Sequence, residues 1–588
     1  MKSFSKLYKN SLNKVSGIAA APGIVIGQVY LFTKEKLDIN KGEITNVDEA
    51  IKNFNEALNK SKKELQKIFA MAREKMDEAR ASIFEAQMMI LDDPVLLQKI
   101  IYRIEKELRQ PEYIVHDEIS KYQELMVLSN ESYMKDRAHD IDDIKNRIIR
   151  NLQKKRLQSK IKHDVIVVSD SLTPADALLL SRNNVKGFVT DHGGITSHAA
   201  IVSRSLNIPA VVGTHNATEI LKDDQTIIVD GFHGYIIFDP SEEQINFFSQ
   251  KISRLLKLQE ELIDLKELPA ETLDGKEIKL MANVDVSGEI DLVVTTGANG
   301  IGLYRTEQIL DELGEFPTED EQTEIYSKLA SRIYPETLII RTFDIGGDKF
   351  KFLDFVEPNP FLGLRGIRLL LENLSLFKTQ LRAILRASKN KNIQVMLPMI
   401  STIEEIWKSK EIITDCKKEL KAAKIHFDNH IKVGIMVEVP SAAVMSKEFS
   451  EEVDFVSIGT NDLIQYLMAV DRGNDLVSNL YQEFNPVVIR TIQHIVKETK
   501  KNHKSVSVCG EMAADTLAIP LLIGLGLDSL SISPSTILYA KRIIRSCDYK
   551  KTKELAEECL TLRTQEEIIS KLENFFTENN ITRTRQII

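Results

Sequence analysis

The chain has 588 residues, with 77 Lys or Arg against 86 Asp or Glu, and its formal net charge of −9 disfavours nucleic acid as the main partner. Hydrophobic residues make up 43% and charged residues 28%, with only 26 Gly and 16 Pro, which excludes disorder and fibrous architecture for the bulk of the chain. Four cysteines, Cys416, Cys509, Cys547 and Cys559, lack zinc-ligand spacing and predict no disulfide framework.

At about 100 to 200 residues per domain, the length predicts several domains. The basic N-terminal stretch leads into an apolar run broken by Pro22 and several glycines. No segment reaches about 18 uninterrupted apolar residues, so a cytoplasmic chain without membrane insertion is expected. Residues 17 to 32, small and β-branched with turn glycines, predict one or two short strands. From about Asp48 to Leu108 apolar residues recur every three to four positions, as in Ile51, Phe54, Leu58, Leu65 and Phe69, with a break at Asp92-Asp93-Pro94. A second helical block runs from Pro111 to Lys155, and the two predict an antiparallel bundle.

Near His163 the texture changes to short β-branched runs (DVIVVSD, GFVTD, PAVVG, TIIVD, GYIIF) up to Pro240, a compact α/β module. Residues 241–270 are charged and helix-compatible, as suits a helical linker. Beyond it, eight β-branched runs alternate with helical stretches: Ile278 to Val284, Gly300 to Thr306, Thr337 to Thr342, Gln394 to Met399, Val433 to Val439, Phe455 to Thr460, Ser505 to Gly510 and Ser529 to Ser533. That alternation predicts a (β/α)8 barrel, whose chemistry gathers where strands end. The fold class expected is multidomain α/β: residues 1–40 and 156–240 form an α/β module, 41–155 an inserted helical bundle, and 271–588 the barrel.

The strand ends carry Arg305, Arg341, Glu438, Asn461, Asp462 and Cys509, with Arg365 and Arg472 in nearby loops. Guanidinium forks grip carboxylate or phosphate bidentately, so an anionic substrate is expected. Glu438 and Asp462 on neighbouring strand ends suit a hard cation, Mg2+ or Mn2+ rather than zinc. Structural ion pairs at a barrel rim are the alternative reading, and for Cys509 a small buried hydrophobe. In the α/β module, Gly193-Gly194-Ile195-Thr196-Ser197-His198-Ala199-Ala200 resembles a loop entering a helix with His198 in its first turn. A helix N-terminus favours a neutral imidazole nucleophile and then stabilises a phosphoryl group attached to it. Arg204 could add a cation, and His192 is expected in the loop or behind the nucleophile.

GGITSHAAIVSRSLNIPAVVGT and VDFVSIGTNDLIQYLMAVDRGN resemble the phosphohistidine and barrel signatures of the phosphoenolpyruvate-utilising enzymes. The order of the parts resembles Enzyme I of the bacterial phosphoenolpyruvate:sugar phosphotransferase system over nearly the whole chain, with LYRTE, RTFDIGGDK, NPFLGLRGIR and CGEMA as further matches. The resemblance implies a swivelling phosphohistidine domain in which His198 accepts the phosphoryl group. It implies that Arg305, Arg341, Arg472 and Asn461 bind phosphoenolpyruvate, that Glu438 and Asp462 hold Mg2+, and that Cys509 protonates the enolate. Arg204, Lys349 and Arg365 are expected behind these groups. The implied partner is the phosphocarrier protein HPr, for which Met88, Met89, Asp92 and Asp93 offer an apolar, acid-rimmed patch unless the methionines are simply core, and the resemblance implies a homodimer through the barrel.

Two segments depart from the Enzyme I pattern. Ile195 stands where GGRTSH has arginine, and Ala177 closes Leu172-Thr-Pro-Ala-Asp-Ala177 where hydroxyls are usual. Pyruvate phosphate dikinases and phosphoenolpyruvate synthases share both signatures but need a large nucleotide domain ahead of the histidine, for which this chain shows neither room nor a P-loop. A docking protein without turnover is a third reading, against which stands the presence of every expected catalytic residue.

Overall fold

The computed structural model describes residues 13–33, 39–75, 84, 87–127, 132–154, 164–181, 185–194, 197–206, 208–285, 289–313, 316–346, 357, 359–472, 474 and 476–581. The chain divides into two compact units, residues 1–255 and 256–588, and the division falls inside the helix Glu242–Asp264.

In the first unit, eight strands are ordered β1-β8-β7-β3-β4-β5-β6-β2. They are β1 (Lys14–Ser16), β2 (Ile18–Ala21), β3 (Ile24–Leu31), β4 (Val165–Ser169), β5 (Gly187–Thr190), β6 (Ala210–Val212), β7 (Thr226–Asp230) and β8 (Tyr235–Phe238). β3 to β6 pair in parallel, and β7 joins β3 antiparallel. Because Tyr30 of β3 lies opposite Val167 of β4, the whole helical segment is spliced between two adjacent strands.

That segment folds as helices Val47–Lys75, Pro94–Glu107, Pro111–Val127 and Ser132–Leu152. Phe54, Leu58, Leu65 and Ile68 of the first, Ile100 and Ile104 of the second, and Ile141, Ile144 and Ile148 of the last recur at helical spacing and are buried in one core. Burial of each such side chain stabilises by about 1.5–3 kcal/mol. The break at residues 92–94 has a local cause: the Asp93 carboxylate accepts the Val95 N–H at 2.8 Å, capping a helix that begins at Pro94.

The second unit is a closed eight-stranded barrel. Its strands are β9 (Lys279–Val284), β10 (Gly300–Arg305), β11 (Thr337–Arg341), β12 (Ile393–Leu397), β13 (Lys432–Val437), β14 (Phe455–Ile458), β15 (Ser505–Val508) and β16 (Ser529–Ile532). All neighbours run parallel, and Ile532 opposite Ala282 closes the circle, so the eight expected runs supply the eight strands. Alternation sorts the residues. Leu280, Ala282 and Val284 face the surrounding helices, while Met281, Leu303, Ile339, Met396, Met436 and Phe455, one from each of β9 to β14, pack together inside with Cys509. Among the described residues, no helix is long and apolar enough to cross a membrane.

Candidate active site

Parallel strands all end on the same side of a barrel, so residues far apart in sequence share one rim. Here the rim surrounds a cavity of about 370 Å³ floored by Leu303, Met436 and Cys509. Four guanidinium groups, Arg305, Arg341, Arg365 and Arg472, line it together with six carboxylates, Asp285, Glu307, Asp344, Glu438, Asp462 and Glu511.

Most of these charges are held by one another. Arg365 binds two carboxylates bidentately: its Nε and Nη2 donate to Asp344 at 2.9 Å each, and its Nη1 and Nη2 donate to Asp462 at 3.1 and 3.0 Å. Arg341 pairs with Asp344 at 3.0 Å and with Glu307 at 3.2 Å, and Glu307 also accepts the Asp344 N–H at 2.6 Å. Burial opposes the charge on Arg341 and Arg365, but Glu307 and Asp344 for the first, and Asp344 and Asp462 for the second, raise both above the ordinary arginine value. Both arginines are therefore fixed cations.

Asp344, Glu438 and Asp462 bring carboxylate oxygens within 4.8 Å of one another. Glu438 is fully buried and accepts the Met399 N–H at 2.6 Å. Burial, with Asp344 and Asp462 adding to it, pushes its carboxyl up to about 8. Such an oxygen-only cluster in surplus over the arginines suits a hard divalent cation. Gly459 lets the strand end approach closely, since a Cβ there would lie 2.9 Å from Glu438 Oε2 and from Met436 Sδ.

Asn461 exchanges hydrogen bonds with Glu511: its Nδ2 donates to Oε1 at 3.2 Å and its Oδ1 accepts the Glu511 N–H at 2.8 Å. Arg472 is exposed at the cavity edge, its N–H donating to Gln465 at 3.2 Å. Cys509 is buried at the cavity floor, and burial pushes its thiol up to about 11. The structure thus brings together Arg305, Arg341, Arg365, Glu438, Asn461, Asp462, Arg472 and Cys509. Lys349 lies outside the described residues.

Sequence reasoning passed over Asp285, Glu307 and Asp344. Glu307 and Asp344 sit inside the matched segments LYRTE and RTFDIGGDK, and Asp285 is the residue after β9, where the strand-end rule itself points. A buried polar layer behind the rim was also missed. Thr306 Oγ1 donates to the Arg341 carbonyl at 3.0 Å, and Gln380 accepts the Phe343 N–H at 3.0 Å while donating to Thr306 at 3.2 Å.

In the first unit, His198 opens the helix His198–Ser205, and Ser197 caps it by accepting the Ala200 N–H at 3.4 Å. The His198 side chain, Ile195 and Thr196 lie outside the described residues. Gly193 has φ +119°, a conformation open to glycine, at the turn leading into this helix. Arg204 donates to the Ala20 carbonyl at 2.8 Å, tying the helix to β2. His192 is exposed and pairs with Asp170 at 3.0 Å. Ala177 is fully buried in the helix Pro174–Leu180, where Thr173 and Asp176 form a reciprocal cap.

Residues 259–549 match the PEP-binding domain of the PEP-utilising enzymes, residues 161–234 their mobile domain and residues 16–137 their N-terminal region. All three belong to one class of enzyme. The chain is 41% identical over 569 residues to the phosphoenolpyruvate-protein phosphotransferase of Listeria monocytogenes, covering 96% of this chain and 100% of that protein. It is 40% identical over 569 residues to the protein of that description from Bacillus subtilis, with the same coverage, and 40% identical over 566 residues to that of Staphylococcus carnosus, covering 96% and 99%. The chain therefore belongs to the phosphoenolpyruvate-protein phosphotransferases, the Enzyme I family of phosphoenolpyruvate-utilising enzymes. It is a transferase acting in phosphoenolpyruvate-dependent phosphotransfer of the sugar phosphotransferase system.

Proposed function

We propose that His198 takes the phosphoryl group of phosphoenolpyruvate at the barrel mouth and passes it to a histidine of HPr, releasing pyruvate. The observation that carries this reading is the convergence of four arginines, three clustered carboxylates and a buried thiol on one cavity at the strand ends. Arg305, Arg341 and Arg472, with Asn461, would bind the phosphate and carboxylate of the substrate, and Arg365 would hold Asp344 and Asp462 in place. Glu438 and Asp462, with Asp344 beside them, would hold Mg2+, or Mn2+ in its stead. When bound, the cation supplies charge neutralisation on the phosphoryl oxygens.

A ring nitrogen of His198 forms the N–P bond as the bond from phosphorus to the enol oxygen breaks, and that oxygen keeps the electron pair. The fixed arginines already face the developing charge, so little reorganisation is needed at that moment. The resulting enolate gains a proton at its methylene carbon. Cys509 is suited to donate it, because its raised pKa keeps the thiol protonated at neutral pH.

HPr docking is assigned to the helical bundle, where the Met89 side chain is 72% exposed. Met88 and Ile90 are half-buried against the core, Asp92 pairs with Lys62 at 2.5 Å, and Asp93 caps the next helix, so Met89 is the residue of this patch most open to a partner. A homodimer through the barrel and a cytoplasmic location belong to the same reading.

The test is incubation with labelled phosphoenolpyruvate and Mg2+, without nucleotide, followed by intact mass, acid lability and peptide mapping. One acid-labile phosphoryl group on residue 198 is expected. A group on His192 or His215, or an absolute need for nucleotide, would overturn the assignment.

A further inference from the structure

Every arginine that is paired at the rim is paired to a carboxylate of the protein, but the pairs differ in kind. In the Arg341 and Arg365 pairs the arginine side chains are 9–11% exposed and their carboxylate partners 1–7%, and Asp344 serves both arginines. Breaking such a pair leaves a buried charge uncompensated, which is strongly destabilising. Arg305 is different. Its Nη1 donates to Asp285 Oδ1 at 2.9 Å and Oδ2 at 3.0 Å, with side chains 34% and 43% exposed. Among the described residues no other carboxylate lies within ion-pair distance of Arg305. An ion pair this exposed is screened by solvent and stabilises little, so it can be exchanged.

Both members line the cavity that the reading above assigns to phosphoenolpyruvate. Asp285 follows β9 directly, and its own N–H donates to Glu289 at 3.3 Å, which holds the backbone while the side chain turns inward to Arg305. A carboxylate two bonds off a fixed strand end, bound to a substrate-facing guanidinium, has the chemistry of the ligand it would compete with.

We infer that Asp285 is a specificity-determining residue of the phosphoenolpyruvate site: its carboxylate occupies Arg305 until an anionic group of the substrate takes its place. This rests on the assignment of that substrate to the rim. Two effects follow, and both weaken binding. The substrate must displace the Asp285–Arg305 pair, and the displaced carboxylate remains near a multiply charged anion. Like charges a few ångströms apart repel, more strongly near a protein surface than in bulk water. A highly charged phosphate ester overcomes this; a singly charged carboxylate such as pyruvate does so poorly, which favours product release. The opposite role, in which Asp285 merely aims Arg305 for the substrate, makes the opposite prediction for affinity.

The experiment measures steady-state kinetics with phosphoenolpyruvate and direct titration of phosphoenolpyruvate binding, using the full chain with Mg2+. Asp285→Asn keeps the side chain's shape and removes its charge. KM and Kd are expected to fall about five- to tenfold, a tenfold change being about 1.4 kcal/mol, with kcat moving less than KM. The gain should shrink as salt rises from about 0.05 to about 0.5 M. Asp285→Glu, which keeps the charge, should return KM toward the wild-type value, and pyruvate should inhibit Asp285→Asn more strongly than wild type.

Displacement requires Arg305 and like-charge repulsion does not, so when Asp285→Asn is combined with Arg305→Ala the displacement part of the gain should vanish and what remains should be the part that salt removes. A KM that is unchanged or higher in Asp285→Asn, or a gain in the double variant that is as large as in Asp285→Asn alone and does not shrink with salt, would overturn the inference. Arg305→Ala alone separates the two layers. If it raises Kd for phosphoenolpyruvate while Asp285→Asn fails to lower it, the role of Asp285 falls and the site stands. If Arg305→Ala leaves Kd untouched, both fall together.

Discussion

At the barrel mouth, the groups assigned to the substrate come from many strand ends and are interlocked before any ligand arrives, with Asp344 shared by Arg341 and Arg365, and Arg365 shared by Asp344 and Asp462. At the histidine, a single helix start does the placing, through Ser197 at its cap and Gly193 in the turn before it. The difference concerns where charge is managed. Phosphoryl transfer needs fixed cations around the moving group, and cations can be fixed only where buried partners hold them. A segment that presents one nucleophile to two different partners gains nothing from such a cage, which would have to be rebuilt at each.

The sharpest way to break this division of labour is to separate the parts. A fragment of residues 1–264, which keeps the helix Glu242–Asp264 whole, should accept a phosphoryl group from phosphorylated HPr and none from phosphoenolpyruvate. Intact mass after each incubation reads the outcome. Phosphorylation of the fragment by phosphoenolpyruvate would place the donor site outside the barrel.

The next effect is large but incomplete. Arg365→Lys keeps the charge and loses the fork that binds two carboxylates bidentately, so kcat/KM for phosphoenolpyruvate should fall about 100- to 1000-fold, which is about 2.7–4.1 kcal/mol of transition-state stabilisation. Arg305→Lys, whose pair is exposed, should lower the unfolding free energy much less than Arg365→Lys, while still weakening phosphoenolpyruvate binding through the lost fork. Equal losses of unfolding free energy would mean that burial of the ion pairs is not what sets them apart.

The same contrast explains what could be read from the sequence. The eight barrel strands stood out because parallel strands buried on both faces read as continuous β-branched runs, and ends of such runs named Arg305, Arg341, Glu438, Asp462 and Cys509. His198 stood out because a glycine turn, a hydroxyl cap and an alanine-rich run are local signals. Partnership was not legible. Nothing in the spacing of Arg365 says that it reaches Asp462, 97 residues away, or that Gln380 supports the backbone beside Arg341 from a neighbouring helix. Arg365 lines the cavity, and it is its carboxylate partners there, not its place at the rim, that the spacing leaves open. Asp285 was missed because Arg305 at the next strand end drew attention as a ligand for substrate, while its own counterion, one residue past β9, did not.

Cys509 tests the contrast at a smaller scale, since the proposed thiol donor would act only where enolpyruvate becomes pyruvate. Cys509→Ala should slow the phosphoenolpyruvate step about 100-fold, at the lower end of general-acid effects, and leave exchange between HPr and His198 in place. The pH dependence carries a sign. Burial moves the thiol up to about 11, so the protonated, donating form persists as pH rises and is lost only on approach to that value. Between about pH 7 and about pH 9 the wild-type step should show no decline attributable to thiol ionisation, whereas a thiol near the ordinary value of about 8.5 would lower it about fourfold over that range. A rate for Cys509→Ala equal to wild type would return Cys509 to the role of a small buried hydrophobe.

The smallest expected effect lies on the helical bundle. Met89 is 72% exposed, and Val95 and Tyr102, two turns apart on the following helix, are 69% and 59% exposed. Nothing in the core accounts for these apolar side chains, unlike Leu91, Leu96 and Ile100 between them, which are buried. A carrier protein with a small apolar contact would bury Met89 for about 1.5–3 kcal/mol, less the cost of ordering the side chain. Met89→Asp should therefore weaken HPr binding about tenfold, with the loss in the dissociation rate. Met88 is half-buried against the bundle core, so Met88→Asp would unfold the helix locally and report on stability instead, which is why Met89 carries the test. Because the patch has no part in the barrel reaction, phosphorylation of Met89→Asp by phosphoenolpyruvate should run at the wild-type rate while transfer to HPr slows at subsaturating carrier. Equal slowing of both steps would show that acceptance and delivery of the phosphoryl group share a surface, and the separation drawn between the barrel mouth and the histidine-bearing unit would fail.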